Sequence, residues 1–454
     1  MQIIWAEQAL TRSGWQRNLR IEIANDGQIT SLTPDSPPQG TRLRVALPAP
    51  ANLHSHAFQR AMAGLAEQRS PRGQDSFWSW RALMYRFLGR LDPDDVEAIT
   101  AYAQLEMLKT GFAAVGEFHY LHHAPGGQHY DNPAEMAGRV MDASRQTGIG
   151  LCLLPVLYMQ GGCDGREPSP EQRRFLCDFN DYSRILSATG KDSAEMPDDF
   201  SIGVAPHSLR AVTSCILDKI PSLSAGRPVH IHIAEQLAEV SEVSAALGAR
   251  PVQWLLENQP VDETWCLVHA THMTGAETRA LAASGAVAGL CPITEANLGD
   301  GIFPAHPFLA AGGRFGLGSD SNIQIDLAGE MRMLEYSQRL GRQERNVIAR
   351  QGSSCGATLL ASACRGGAQA LGRNSGAIAV GKLADIVEID LQHPDFEGLE
   401  GDRLIDSWIF ARTCTGVRNL WSGGRHVIMD GRHAHEADIA NKAGRVFRRM
   451  RSAL

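Results

Sequence analysis

The sequence predicts an α/β fold, a (β/α)8 TIM-like barrel over residues 49–375 joined to a small β-sandwich domain that both chain ends build, residues 1–48 and 376–454. Three observations carry this. Between 49 and 375, short apolar runs alternate with longer amphipathic stretches, the pattern of repeated β/α units with parallel strands. Both ends read instead as β, with brief apolar runs punctuated by turn residues. At 454 residues the chain exceeds what one compact core usually serves, which fits a barrel with an appendage.

In chain order, residues 2–48 hold the runs IIWA, LRIEIA, ITSL and LRVAL, separated by turns such as Asn25-Asp26-Gly27, and read as small antiparallel strands. The first barrel strand lies near Leu47 to His54. AAVGEF, IGLCLLPVLY, FSIGVA, VHIHIA, WCLVHA, AVAGLC and FGLGSD follow, making eight. Helices are expected over 93–110, 133–147, 236–246, 274–283 and 326–341, each between two strands or beside one. After 376, GAIAVGKLADIVEID alternates like a strand with glycine punctuation, and RNLWSGGRHVIMDGRH reads as a hairpin. Two polar loops rich in Gly and Pro, 66–76 and 160–171, are placed to cover a pocket, and composition suggests 66–76 as a lid.

Hydrophobic residues make up 43% of the chain and charged residues 20%, the balance of an ordinary soluble globular protein. A net charge of −7 without clustered Lys and Arg argues against nucleic acid, whose phosphates demand such clusters, and favours a small-molecule partner. The nine cysteines are scattered, odd in number and lack a CxxC pair, which indicates neither a disulfide framework nor a cysteine-rich zinc site and fits a reducing cytoplasm. The start, MQIIWAEQAL, has no basic segment leading into an apolar core. The longest apolar stretch, Ile149–Met159, is too short for a bilayer, so no export signal or membrane anchor is expected.

The chemistry gathers at strand ends. Asn52-Leu53-His54-Ser55-His56 puts two histidines at i and i+2 after an apolar run, so an extended backbone faces both the same way and they can share one metal. Val229-His230-Ile231-His232-Ile233-Ala234-Glu235 ends another strand. His230 reads as a core histidine, whereas His232 reads as a ligand because Glu235 supplies the acid a metal hydrolase needs beside its metal. Cys266-Leu267-Val268-His269 and Gly316-Leu317-Gly318-Ser319-Asp320 close two further strands. Each alone is ordinary, a cap or a loop hydrogen-bonder. Their joint placement at carboxyl ends of successive barrel strands, where such barrels do chemistry, is what points to a metal site.

Together these residues resemble the amidohydrolase superfamily, and within it the cytosine/adenosine-deaminase-like branch that holds one metal. The resemblance spans nearly the whole chain through PAPANLHSH, LKTGFAAVGEF, HIHIAE, LVHATH, GLGSDS and GAIAVGKLADIVEID. No strand-end Lys suited to carbamylation stands where two-metal members carry one, so the resemblance implies one cation per subunit. Zn2+ is expected, with Fe2+ or Mn2+ able to occupy such N/O sites. Its ligands would be His54, His56, His232 and Asp320, leaving room for a water whose pKa falls toward ~7. Asp320 is also suited to accept that water's proton, Glu235 to protonate a departing nitrogen, and His269 to hydrogen-bond the water or the developing tetrahedral centre. The family further implies a homodimer.

For the substrate, Arg81 follows the aromatic stretch Phe77-Trp78-Ser79-Trp80, and Arg210 ends Pro206-His207-Ser208-Leu209-Arg210. Guanidinium forks match carboxylates, although a surface ion pair is the plain alternative for each. Ring deaminases of this branch often carry a PHxPYT-like segment where this chain has PHSLR, and a basic group there suits a small anionic substrate. The sequence is similar to the formimidoylglutamate deiminases. That likeness implies conversion of N-formimino-L-glutamate and water to N-formyl-L-glutamate and ammonia in histidine degradation, with Gln59, Tyr120 and His207 completing a pocket around Arg81 and Arg210. Two other classes stay open: a deaminase or chlorohydrolase of an aromatic heterocycle, guanine- or adenosine-type, with Trp78 and Trp80 stacking on the ring, and a non-catalytic assembly protein that keeps the barrel without its metal.

Overall fold

The computed structural model describes residues 1–69, 77–412 and 416–452, with the side chains of Phe77 and Trp78 outside that description. β1 (Gln2–Thr11), β2 (Gly14–Ile23) and β3 (Ile29–Thr33) form an antiparallel meander. β4 (Thr41–Pro48) departs from the antiparallel expectation and pairs parallel with β1. Parallel neighbours need a long crossover, which β2, β3 and the Pro-containing link 34–40 supply as they carry the chain to the far side of β1.

The barrel follows as β5 (Ala51–Ser55), β6 (Ala114–His119), β7 (Gly150–Leu157), β8 (Ser201–Ile202), β9 (Ala205–Pro206), β10 (Val229–Ile233), β11 (Trp265–His269), β12 (Val287–Leu290) and β13 (Arg314–Leu317). The run FSIGVA, expected as one strand, is split into β8 and β9 at Gly203–Val204, where Gly203 N donates to Leu153 O and Val204 N to Pro228 O, and both pieces pair with β7 in one register. Counted as one, the two pieces give eight strands. Parallel bridges Val204–Val229 and Ser208–His232 join this broken strand to β10, and Leu317–Asn52 joins β13 to β5, closing the ring.

Strand residues alternate between two cores, as a period of two requires. Leu151 and Leu153 of β7 and Leu267 of β11 pack outward under the helices, while Cys152, Leu154, Cys266 and Val268 join Leu53 and Phe118 in the other core. The five expected helices are present as Pro93–Thr110, Glu135–Thr147, Leu237–Leu247, Gly275–Ser284 and Leu327–Arg342. The reciprocal caps Asp92/Asp95 and Thr274/Glu277 start two of them. Among the described residues, five more of at least eight residues were not anticipated: Phe77–Leu88, Phe179–Asp192, Pro251–Asn258, Cys355–Ala370 and Glu436–Arg451. The last lies on the barrel's outer layer, with Ile439 among Ala101, Leu105 and Ala143, and Glu436 paired with Lys109.

Of GAIAVGKLADIVEID only β14 (Ile386–Ile389) is a strand, since Gly376 and Gly381 take φ of 85° and 80° and turn the chain before it. β15 (Val417–Ser422) and β16 (Arg425–Ile428) form the expected hairpin across Gly423-Gly424. β4 ties the two chain ends together, its first half pairing with β1 and Leu47–Pro48 with β14. Ile4, Ile21 and Leu43 share one core with Ile386 and Trp421.

A buried ion network fastens this β layer to the barrel floor. Arg373 holds Asp385 at 2.7 Å and Asp199 at 2.8 Å, with all three side chains no more than 5% exposed, and Asp199 also receives Arg425. Removing one member of such a cluster strands the opposite charges. Arg373→Met is therefore expected to lower unfolding free energy by about 3–5 kcal/mol in urea titrations, with the catalytic constant of the folded fraction unchanged. Loss of under 1 kcal/mol would show the network to be dispensable. The eight described cysteines are free, and Cys414 lies outside the described residues. Among the described residues no helix is long and apolar enough to cross a membrane.

Candidate active site

The residues picked from four distant segments meet at the carboxyl end of the barrel. His54 and His56 come from β5 and the turn after it, His232 from β10 and Asp320 from just past β13, and one ligand atom of each lies within 4.8 Å of all the others. Local features of the chain make this possible. The pairing of β5 with β6 slips between Asn52 and Ser55, a bulge of the kind that re-aims side chains beside active sites. Gly318 lets β13 approach β5 so closely that a Cβ there would meet His54 O at 2.8 Å. Ala234, His269, Ala270, Asp320 and Asn322 all take left-handed φ of 44–69°, bending the chain off three strand ends. For non-glycine residues this costs on the order of 1–3 kcal/mol each, and such strain concentrates at functional sites.

The donor set was tested against a divalent cation through its hydrogen bonds. A backbone carbonyl can only accept, so His56 Nδ1, 3.0 Å from Phe118 O, and His232 Nδ1, 3.2 Å from His207 O, both carry protons. Their Nε2 lone pairs therefore face the centre. His232 Nε2 stands 3.1 Å from His54 Nε2, and Asp320 Oδ1 stands 3.4 Å from His54 Nε2 and 3.3 Å from His56 Nε2. Burial pushes His54 down to about 3 and also lowers His56 and His232, so the rings are neutral. Burial alone would raise the Asp320 carboxyl, but the neighbouring imidazoles of His54, His56 and His269 oppose it and hold the carboxyl below its usual range. The two lone pairs so fixed, His54 Nε2 beside them and one carboxylate make a donor set that fits a divalent cation.

Around them lies a narrow cavity of about 70 Å³ lined by Gln59, Arg81, Tyr120, His207, Arg210, Glu235 and His269 together with His56, His232 and Asp320. All five residues expected to bind substrate thus face one space. Gln59 Nε2 donates to Tyr120 Oη at 3.0 Å, while buried Gln59 Oε1 and Arg210 Nε have no hydrogen-bond partner among the described residues. Burial raises the Glu235 carboxyl to about 7, Asp320 pushing the same way while His269 and Arg210 oppose. Glu235 Oε1 and Asp320 Oδ2 each lie 3.9 Å from His269 Nε2. His230 is the core residue expected, its Nε2 donating to Ala370 O at 2.7 Å. Trp80 lines the cavity, whereas the side chain of Trp78 falls outside the described residues.

Tyr158 and Phe175 also wall the cavity, Glu117 accepts from Ala57 N beside His56, and Glu295 holds His269 Nδ1, none of them singled out from sequence. Tyr158 ends the run IGLCLLPVLY, so its place was readable; Phe175 sits in a loop with no pattern. Behind the ligands, Asn52 Nδ2 donates to Ser319 Oγ, Ser319 Oγ to Asn322 Oδ1, and Asn322 Nδ2 to Ser55 Oγ, stitching β5 to the loop after β13. Arg60 adds bonds to Asn322 O and Ile323 O, both 3.0 Å. Of the two loops expected over the pocket, 66–76 has residues 70–76 outside the described structure. The other, 160–171, is latched by Arg166 to Glu242 and bonded to the arginine-bearing segment through Cys163 Sγ and Leu209 O.

Comparison with known proteins matches this architecture. Residues 45–427 fit the amidohydrolase family, and residues 1–44 fit the N-terminal domain of the formimidoylglutamate deiminase HutF. A formimidoylglutamate deiminase of Pseudomonas aeruginosa is 49% identical over 96% of both chains. A 5-methylthioadenosine/S-adenosylhomocysteine deaminase of Natronomonas pharaonis is 26% identical over 85% of this chain and 82% of its own. Among solved structures, an amidohydrolase from Brucella melitensis superposes with a TM-score of 0.95 at 44% identity, covering 99% of this chain and 100% of its own. With the barrel, the strand-end histidines and these likenesses in agreement, the chain belongs to the amidohydrolase family.

Proposed function

We propose that this protein hydrolyses N-formimino-L-glutamate to N-formyl-L-glutamate and ammonia, a step of histidine degradation. The observation that carries the reading is one cavity in which the metal-ligand cluster and Glu235 face Arg81 and Arg210, so that reacting groups and carboxylate-binding groups share one space. The likeness to the Pseudomonas aeruginosa deiminase supports the same substrate.

A divalent cation held by His54, His56, His232 and Asp320, taken here as Zn2+, supplies Lewis acidity and a water acidified toward a pKa of ~7. The chain's own groups do the rest. Glu235, raised to about 7, is poised to carry one of the water's protons to the departing nitrogen, and Asp320 to accept the other and pass it on as the tetrahedral centre collapses, so that both hydrogens leave on ammonia and the oxygen stays on carbon. His269 faces Glu235 and Asp320 and stabilises the oxygen as charge develops there. Arg210 and Arg81 receive the two substrate carboxylates, and Gln59, Tyr120 and His207 orient the chain between them. Burial opposes the Arg210 charge, but Glu239 and Glu235 outweigh it and keep the guanidinium ionised. Family likeness extends the proposal to one zinc per subunit of a cytoplasmic homodimer.

Product analysis tests the reaction. Ammonia with N-formylglutamate is expected, whereas formamide with glutamate would mean that the other C–N bond is cut, and turnover of aromatic heterocycles alone would transfer the site to the ring deaminases. Arg210→Met is expected to raise KM strongly and to lower kcat/KM by about 10–150-fold, the value of a charge-assisted hydrogen bond of about 1.5–3 kcal/mol, with bound metal unchanged. An unaffected KM would remove Arg210 from substrate binding.

A further inference from the structure

His269 is anchored from behind. Its Nε2 faces Glu235 and Asp320, and its Nδ1 lies 3.2 Å from Glu295 Oε1. Glu295 stands in the first turn of Pro292–Leu298, the helix that leaves β12, and is 4% exposed. The same oxygen takes the backbone N–H of Cys291 at 2.9 Å, so the carboxylate is fixed by the start of its own helix before it meets the imidazole. His269 and Ala270 sit in left-handed backbone, φ 69° and 49°, where the chain leaves β11. Backbone placement of that kind does not by itself fix the plane of the ring; an anchored acceptor on one side does.

We propose that Glu295 is the positioning residue for His269: its carboxylate oxygen takes the Nδ1–H and fixes the plane of the ring, so that Nε2 stays aimed at the reacting oxygen. The proposal rests on the reading of this cavity as the site of C=N hydrolysis. A glutamine in its place keeps the shape but can also turn its amide N–H toward Nδ1, which removes the fixed acceptor and frees the ring to rotate.

The test uses the full-length, metal-replete protein with 15N-labelled histidine. A hydrogen-bonded Nδ1–H resonance, assigned through its loss in H269N, is expected in the wild type and is expected to vanish or move strongly in E295Q. With N-formimino-L-glutamate, E295Q is expected to lose about 10–100-fold in kcat, with KM within about threefold and metal content unchanged, since an interaction made only in the transition state lowers kcat alone. In an H269N background the same change is expected to add less than about twofold, because the two groups act as a unit. An unchanged kcat, equal losses in both backgrounds, or a resonance that survives E295Q would overturn the proposal. If the wild type releases no ammonia from N-formimino-L-glutamate, the substrate reading fails instead. The resonance then decides on Glu295 alone, its absence from wild-type spectra overturning the assignment even if the glutamine variant does not fold.

Discussion

Glu235→Gln is expected to lower the rate of ammonia release by about 10²–10⁴-fold, the usual worth of a general acid–base group, with the purified variant keeping its metal. Glutamine preserves volume and hydrogen bonding but cannot carry a proton from water to a leaving nitrogen. The backbone around it stays in place: Glu239 accepts from Ala234 N at 3.1 Å and Glu235 N at 3.0 Å, holding the turn whatever side chain follows. Burial is what raises this carboxyl to about 7, with Asp320 adding to the shift, and a group titrating near neutrality can both take and give a proton at the working pH. The check is steady-state ammonia release alongside metal analysis of the same sample. A rate within threefold of wild type would remove Glu235 from the proton path, and loss of metal would make it a structural residue of the cluster.

Asp320→Asn is expected to have the largest effect of all, a fall in bound metal below one per chain and a loss of activity on the order of 10³-fold or more, since Lewis-acid stabilisation is worth several kcal/mol. The amide retains the size of the carboxylate but not its charge, leaving three neutral imidazoles whose protonation burial already opposes. Asp320 is also where β13 meets β5, its carbonyl accepting His56 N at 2.9 Å, so the variant should be folded for this backbone bond to be kept. Circular dichroism that matches the wild type, together with reduced metal, is the expected pair of results. Full metal occupancy would contradict the role given to the carboxylate.

Much of this was legible because parallel barrels impose strong regularities. VHIHIA announces that Ile231 and Ile233 face one core while His230 and His232 face the other, and the structure keeps that parity. HSH and GLGSDS were readable since i, i+2 spacing and strand-end position are local facts. What the sequence did not disclose depends on contacts between distant segments. β4 turned out parallel to β1, a matter of which edge is free, not of local pattern. The helix Glu436–Arg451 follows a β hairpin and gains its place by packing against Pro93–Thr110 and Glu135–Thr147. Glu295 looks like an ordinary first-turn acid of a short helix; only the neighbouring strand end, bent by the left-handed φ of His269, makes it the partner of a ring nitrogen.

The central claim is that four side chains from separate strand ends hold one divalent cation on which turnover depends. Titrating chelator-stripped protein with Zn2+ while recording ammonia release from N-formimino-L-glutamate tests it most directly. Activity should be absent at the start, rise linearly with added metal and stop rising at one equivalent per chain. Stripped protein that turns over at the wild-type rate without added metal would contradict the account.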